Sequence, residues 1–119
     1  MRYLLLIYSD ESVYPTMSEE DMGKLMAEYG EFTQALETSG VMVGADRLQP
    51  THTATTVRIR DGETLTTDGP FAETKEQFGG YYTVDVENLD DAIAWAAKIP
   101  TSKYGSIEVR PIWEESENA

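Results

Sequence analysis

The sequence contains no cysteine and a single histidine among its 119 residues. Without cysteine there is no disulfide framework, no thiolate nucleophile and no sulfur-ligated metal, which fits a cytoplasmic protein. His52 lies in a Pro/Thr-rich loop with no nucleophile-elbow glycine pattern nearby, so we interpret it as a solvated loop residue rather than a catalytic or haem-ligating one. No glycine-rich phosphate loop opens a predicted helix, and the sequence predicts neither a metal nor a cofactor.

Basic residues are also scarce, since 9 Lys and Arg face 22 Asp and Glu and leave a formal net charge of −13. A surface of this sign repels phosphate backbones and anionic lipids, which disfavours direct binding to nucleic acid or membranes. The charge predicts a soluble surface, with a specific basic partner as the alternative. The apolar run from Tyr3 to Tyr8 is too short to span a bilayer and lacks a cleavage site, so it predicts a strand.

The N-terminal third of the chain predicts a strand followed by a long helix. The run from Tyr3 to Tyr8 shows no polar alternation, so both faces of this strand need cover. The helix begins after Ser18 as N-cap and ends near Gly40. Apolar residues at spacings of three and four form one stripe, which we expect to be core: Met22, Leu25, Met26, Tyr29, Phe32 and Leu36.

The middle of the chain predicts a strand, a loop and a hairpin. Val41 to Ala45 is consistent with a strand antiparallel to the first, and Arg47 to Thr53 forms a loop. The hairpin strands 55–60 and 63–67 flank Asp61-Gly62, which suits a type I′ turn and places Arg60 opposite Glu63. Because this hairpin is polar, it should need to pack against a larger part of the protein to be stable.

The remaining elements are a turn, an ambiguous segment, a strand, a helix and a strand. Residues 72–78 form either a single helical turn or an irregular bulge, and strand 81–86 buries one alternating face. The second helix starts near Asn88, stops at Pro100 and places Trp95 off its apolar stripe of Leu89, Ala92, Ile93, Ala96 and Ile99. Strand 106–113 contains Pro111, which favours a sheet edge, and residues 114–119 form a short acidic tail.

This element order predicts an α+β fold, a ferredoxin-like βαβ-βαβ sandwich with an inserted β-hairpin, in one domain over residues 1–113. In this fold the helices cover one face of the sheet and leave the other open. An open face carrying apolar residues of strand 3–8 is a large exposed patch. We therefore expect it to pack against a twofold-related copy, as a homodimer in which the two sheets enclose a cavity.

One stretch, residues 67–82, crowds charged and aromatic side chains between the hairpin and a core strand. Gly69-Pro70 orients the Asp68 carboxylate, our candidate catalytic residue, which could act as a general base or hold a substrate cation. The candidate binding residues around it are Tyr29, Arg47, Phe71, Lys75 and Tyr81, with Tyr82 as a further hydroxyl donor.

Each candidate has a structural alternative. Asp68 is equally suited to accept hydrogen bonds from its own turn amides, and Phe71 to fill the dimer seam. Lys75 is equally suited to be a solvated charge. Tyr29 lies on the predicted core stripe, where packing is the commoner role.

The same stretch resembles a known family. The run DGPFAETKEQFGGYY at residues 68–82, with ATTVR at 54–58 and EVRP at 108–111, resembles YCII-related proteins, in particular their DGPF branch. The resemblance implies a ferredoxin-like dimeric α+β barrel. Asp68, Gly69, Pro70 and Phe71, with Lys75 and Gly79-Gly80, carry over as signature positions.

The resemblance also implies two classes of function. YCII-related proteins look like small-molecule enzymes because of a His and Asp pair in a cleft. Here Tyr29 falls near that histidine position, so a His-Asp acid/base mechanism does not carry over, and whether the chain is an enzyme stays open. Members of the DGPF branch are also neighbours of extracytoplasmic-function sigma factors in bacteria, which implies an accessory protein with a sigma-factor partner.

Overall fold

The computed structural model describes residues 1–115. They form six strands, two α-helices and three short 3-10 helices. The strands are β1 (Arg2–Ser9), β2 (Met42–Arg47), β3 (Thr55–Arg60), β4 (Glu63–Asp68), β5 (Gln77–Asp85) and β6 (Ser106–Pro111). The α-helices are α1 (Glu19–Ser39) and α2 (Leu89–Lys98), and the 3-10 helices are Glu11–Thr16, Thr51–Thr53 and Pro100–Lys103.

The main sheet has the strand order β2-β5-β1-β6, and each neighbouring pair is antiparallel. This order with two helices confirms the predicted ferredoxin-like α+β fold. The prediction that the second strand runs antiparallel to the first was wrong: β2 runs parallel to β1, with β5 between them. Helix α1 returns the chain to its starting end, so the next strand must resume the direction of β1.

Helix packing on one face of the sheet forms the core. Leu5, Leu36 and Val84 are fully buried there, and the Phe32 ring packs edge-on against Tyr82 at 5.1 Å between centroids. The predicted stripe of α2 was partly wrong, because Trp95 packs against Phe32 and leaves Leu89 and Ile93 exposed at 48% and 49%. The rest of the predicted stripe was correct, because Ala92, Ala96 and Ile99 are buried. The two small alanines let the helix approach the sheet closely, while the indole reaches sideways to α1.

The core stripe of α1 extends only along the second half of the helix. Phe32 and Leu36 are buried, but Met26 is 46% exposed and Met22 and Leu25 are half-buried. The capping predictions were confirmed, since the Ser18 side chain accepts a hydrogen bond from the Asp21 N–H at 3.1 Å and Gly40 ends the helix with φ 78°. The first half of α1 therefore overhangs a cavity rather than the packed interior.

The inserted hairpin β3–β4 stands apart from the main sheet. Its turn was predicted correctly, because Asp61 and Gly62 have φ of 50° and 78° and Arg60 pairs with Glu63. Every residue of β4 is exposed, and the Cα radius of gyration of 16.7 Å exceeds the roughly 13 to 14 Å of a compact domain this long. The hairpin therefore extends outward and does not pack over the main sheet.

The sheet face away from the helices carries an apolar centre. Alternate residues Leu4, Leu6 and Tyr8 of β1 lie there, half-buried, and the Tyr8 ring contacts Phe78 with 5.5 Å between centroids. Charged residues surround this centre: Arg2 pairs with Asp85 in register and Glu108 bonds to Arg110. We call Leu4, Leu6, Tyr8 and Phe78 the open-face cluster.

The ends of several elements differ from the sequence prediction. Strand β5 begins at Gln77, and its pairing with β1 shifts at a bulge between the partners of Ile7 and Tyr8. The residues before Gln77 form no helix. Of the two alternatives for residues 72–78, the helical turn was therefore wrong. Strand β6 ends at Pro111 and is an edge strand, as Pro111 predicted. Of the predicted tail, Glu114 accepts hydrogen bonds from the Arg2 guanidinium at 2.8 and 3.0 Å, and residues 116–119 lie outside the described residues.

Candidate functional site

A cavity of about 760 Å³ lies between the first half of α1, the helix-facing side of the sheet and the 3-10 helix 11–16. Its walls are mostly apolar. Met22, Leu25 and Met26 line it from α1, and Ile7 and Ala45 line it from the sheet. The sheet residues beneath this half of α1 include the small Ala45 and Gly80, so the space between helix and sheet stays unfilled, whereas Phe32 and Leu36 of the second half are buried.

Gly79 and Gly80 shape the wall between β5 and β2. A Cβ atom on Gly80 would lie 2.9 Å from the Asp46 carbonyl oxygen and 3.4 Å from Arg47 Cα, closer than side chains tolerate. The Leu48 N–H also donates to the Gly79 carbonyl at 2.9 Å. Gly80 therefore lets the end of β2 close against β5, and the backbone bond from Leu48 to Gly79 holds the following loop there, which completes the cavity wall.

The inner end of the cavity carries hydroxyl groups. The Tyr29 hydroxyl is hydrogen-bonded to Oγ1 of Thr101, which is buried, and Ser9 Oγ is bonded to the Tyr14 hydroxyl at 2.8 Å. Burial raises the pKa of Tyr29 to about 12. Tyr29 is therefore protonated at neutral pH and suited to donate a hydrogen bond, and it is not suited to act as a general base there.

The rim of the cavity is held by two acidic residues at the end of β1. The Glu11 carboxylate accepts hydrogen bonds from both the main-chain N–H and the hydroxyl of Thr51, and its own N–H donates to Gln77 Oε1 at 2.9 Å. Asp10 caps the 3-10 helix 11–16 by accepting from Ser12, and these hydrogen bonds lower its pKa. Glu11 therefore joins the segment after β1 to the segment after β2, and Asp10 stabilises the start of the 3-10 helix.

Arg47 ends β2 at the mouth of the cavity. It pairs in register with Gly80 on the helix-facing side of the sheet, and its side chain is exposed. Within residues 1–115 its guanidinium forms no ion pair and no hydrogen bond. His52 of the following loop lines the same mouth. A cationic group with unused hydrogen-bond donors therefore borders an apolar cavity.

Some of the sequence-predicted residues meet at this cavity. Tyr29, Arg47, Tyr81, Gly79 and Gly80 all line it. The Tyr81 side chain, however, shares a sheet face with Leu6, and its hydroxyl donates to Asp46 Oδ2 at 2.5 Å, which raises the pKa of Tyr81. Tyr81 therefore contributes its backbone to the wall and its hydroxyl to the opposite face.

The other predicted residues lie elsewhere in the protomer. Asp68 is exposed at the end of β4, Phe71 is 80% exposed and Lys75 is exposed, and none of them lines the cavity. Gly69 forms the turn with φ 98°, and its carbonyl accepts a hydrogen bond from the Thr56 hydroxyl at 2.8 Å. The Asp68 carboxylate forms no hydrogen bond with residues 1–115, including the turn amides that we considered as its alternative partners.

Several cavity residues were not predicted as site residues. Met22, Leu25 and Met26 were assigned to the core, because an apolar helix stripe does not reveal whether the elements beneath it fill the space against it. The clasp between Glu11 and Thr51 joins residues 40 positions apart, and no local pattern marks such a pair. The described residues contain no group of three His, Asp or Glu side chains suited to a metal ion, and no helix among them is long and apolar enough to cross a membrane.

The fold and the cavity define a ferredoxin-like α+β protein with a ligand-sized space between its long helix and its sheet. A family model described as the YCII-related domain matches residues 1–116, and the chain belongs to this family. The chain is also 40% identical over 114 residues to an uncharacterized protein of Rhizobium meliloti (strain 1021), with 94% of this chain and 92% of that protein covered. Both findings confirm the resemblance drawn from residues 54–58, 68–82 and 108–111.

Proposed function

We propose that the protein binds a small molecule in the cavity beneath α1 and acts as a homodimer. The cavity carries this proposal: it is of the size that small ligands occupy, and its apolar walls end in a few convergent polar groups. Tyr29 supplies a hydroxyl donor at the inner end, and Arg47 supplies a cation at the mouth. Nothing in this arrangement requires a chemical step, so binding is the function that we propose.

The open-face cluster supports the dimer. Leu4, Leu6 and Tyr8 form a continuous row along the central strand β1, on the face that neither helix covers. The hairpin does not cover this row, because it extends outward. Pairing two such faces about a twofold axis removes both rows from water and forms the α+β barrel implied by the family resemblance.

Replacing Met26 with tryptophan tests the cavity directly. The indole is larger than the thioether and should fill part of the space, so binding of the neutral fluorescent probe N-phenyl-1-naphthylamine should weaken about tenfold or more. Fluorescence titration measures this change.

The matched control for this test is Ile93→Trp. Ile93 is a similarly exposed helical position, at 49% against 46% for Met26, and it lies on α2 outside the cavity lining. The control should leave probe affinity within about twofold, because the added indole enters solvent rather than the cavity. Equal affinities for wild type and Met26→Trp would mean that the probe binds elsewhere and would remove the cavity as the site.

Asp68→Asn tests whether Asp68 is a polar anchor, which stays a prediction. Because Asp68 is exposed and forms no hydrogen bond within residues 1–115, the near-isosteric change should alter the free energy of unfolding by no more than about 0.5 kcal/mol. Probe binding in the cavity should also be unchanged. Loss of binding in a variant with wild-type thermal stability would instead assign the anchor role to Asp68.

The accessory role beside a sigma factor also stays a prediction of the family resemblance. The charge of −13 suits contact with a basic protein. No feature of residues 1–115 favours a sigma factor over another basic partner, and the cavity has no part in such contact. The binding role therefore stands first.

A further inference from the structure

The charged side chains around the cavity differ in whether they already form hydrogen bonds with other residues of the chain. Asp10 Oδ1 accepts hydrogen bonds from the N–H and the hydroxyl of Ser12 at 3.0 and 2.6 Å. Both oxygens of Glu11 accept from Thr51. Asp46 accepts from the Tyr81 hydroxyl, on the sheet face away from the cavity. Each carboxylate near the mouth therefore already holds donors of this chain.

Arg47, in contrast, has a charged side chain with no partner within residues 1–115. Its guanidinium has several N–H donors in a planar fork, and no acceptor among residues 1–115 engages them. Arg2 binds Glu114 at 2.8 Å, Arg60 donates to the Ile59 carbonyl at 2.9 Å, and Arg110 pairs with Glu108. Arg58 forms no such contact within residues 1–115 either, but it lies on the hairpin strand β3 and does not line the cavity. The backbone of Arg47 is fixed by pairing with Gly80, so its side chain extends from a defined point in the lining of the cavity.

The wall next to this fork suits an apolar ligand body. Met22, Leu25 and Met26 present one face of α1 to the cavity, and Ile7 and Ala45 form the floor. Methionine side chains are unbranched and polarizable, and they adapt to ligands of different shape. A chain or a ring lying along this wall would leave a terminal group close to Arg47.

We infer that the cavity takes an amphipathic monoanion, an apolar body with a carboxylate end, and that Arg47 is the residue that binds the carboxylate. This inference rests on the proposed binding function and adds the ligand class. The guanidinium fork matches the two oxygens of a carboxylate, and a charge-assisted bidentate contact of this kind is strong and directional. Asp10, Glu11 and Asp46 also line the cavity and oppose an anion there, so the ligand carboxylate must lie against Arg47, where the bidentate contact outweighs them. Salt screens the more distant negative charges of the protein beyond about 8 Å.

A displacement experiment with three ligands of equal chain length tests the charge preference. Octanoate, octanol and octylamine share the same apolar body and differ in the end group. Each is titrated against wild-type protein loaded with N-phenyl-1-naphthylamine. Octanoate should displace the probe at a concentration about tenfold lower than octanol, because it alone forms the ion pair with Arg47. Octylamine should be no stronger than octanol.

Arg47→Gln should remove the preference and bring octanoate to within about twofold of octanol, while the affinity for octanol stays the same. Arg47→Lys keeps the charge without the planar fork and should retain part of the preference. The matched control is Arg60→Gln, an exposed strand arginine on the hairpin, which should behave as wild type. Circular dichroism confirms that each variant is folded before titration.

The outcomes separate the two proposals. Equal displacement by octanoate and octanol, or strongest displacement by octylamine, overturns the inference about the anion and leaves the cavity as a binding site. A preference for octanoate that survives Arg47→Gln overturns the role of Arg47. Failure of all three ligands to displace the probe, together with unchanged probe binding in Met26→Trp, overturns the proposed function as well.

Discussion

Replacing Leu6 with glutamate should abolish the homodimer that we propose and leave the protein as a monomer. Leu6 lies at the middle of the open-face cluster on the central strand β1, and twofold symmetry would bury it twice. Burying a leucine side chain contributes about 1.5 to 3 kcal/mol, and placing two carboxylates in the same dry interface adds further cost. We expect the dimer dissociation constant to rise by roughly a thousandfold or more.

Analytical ultracentrifugation of the wild type and the variant at micromolar concentration measures this change. Ile93→Glu is the control, because Ile93 is exposed on α2, which covers the other face of the sheet. It should leave the dimer intact. A wild-type protein that sediments as a stable monomer at micromolar concentration would remove the dimer from the proposal, and so would an undiminished dimer of Leu6→Glu.

Gly105→Ala should cause the largest loss of stability among single-methyl changes. A Cβ atom at this position would collide with the backbone carbonyl oxygen of Tyr8 and lie 2.8 Å from Thr101 Cγ2 and 3.2 Å from Ser9 Cβ. The backbone oxygen belongs to the central strand and cannot move aside without disturbing the sheet. We expect a loss of about 3 kcal/mol and a melting temperature lower by about 10 °C or more.

The Gly105→Ala substitution should also weaken probe binding in the cavity, since the closest neighbours of Gly105 hold the inner hydroxyl groups in place. Thr101 bonds to Tyr29, and Ser9 bonds to Tyr14. Gly23→Ala is the control: Gly23 is exposed in α1 with open space around it, so alanine should stabilise the helix by about 0.5 to 1 kcal/mol. Thermal melts that show no loss in Gly105→Ala would mean that the chain does not pass so close to β1.

The elements that the sequence predicted well carry their signal in short segments. Ser18 and Gly40 mark the ends of α1, and Asp61-Gly62 marks the hairpin turn, because capping and turn formation depend on a few adjacent residues. The alternation of Tyr82, Val84 and Val86 identified the buried face of β5 for the same reason. Local features of this kind are sufficient to predict the fold class.

Signals that depend on distant contacts were missed. The contact of Trp95 was missed because its partner, Phe32, lies 63 positions earlier in the chain. The direction of β2 was wrong because its neighbour is β5, which follows much later in the chain. Tyr29 and Arg47 were named as candidates, yet the cavity that they share exists only because the first half of α1 and the strands beneath it leave space between them.

The sequence alone determined the helices, the turns, the acidic charge and the sequence of strands and helices along the chain. The elements follow from local conformational preferences and from the spacing of apolar residues, and the charge follows from composition. Only the tertiary structure decided that residues 22–29 enclose a cavity, that Arg47 stands at its mouth and that the Asp68 turn lies outside it. The physical reason is that a cavity is unfilled volume between elements. Its position depends on where helices and strands cross, which no segment of the chain specifies by itself.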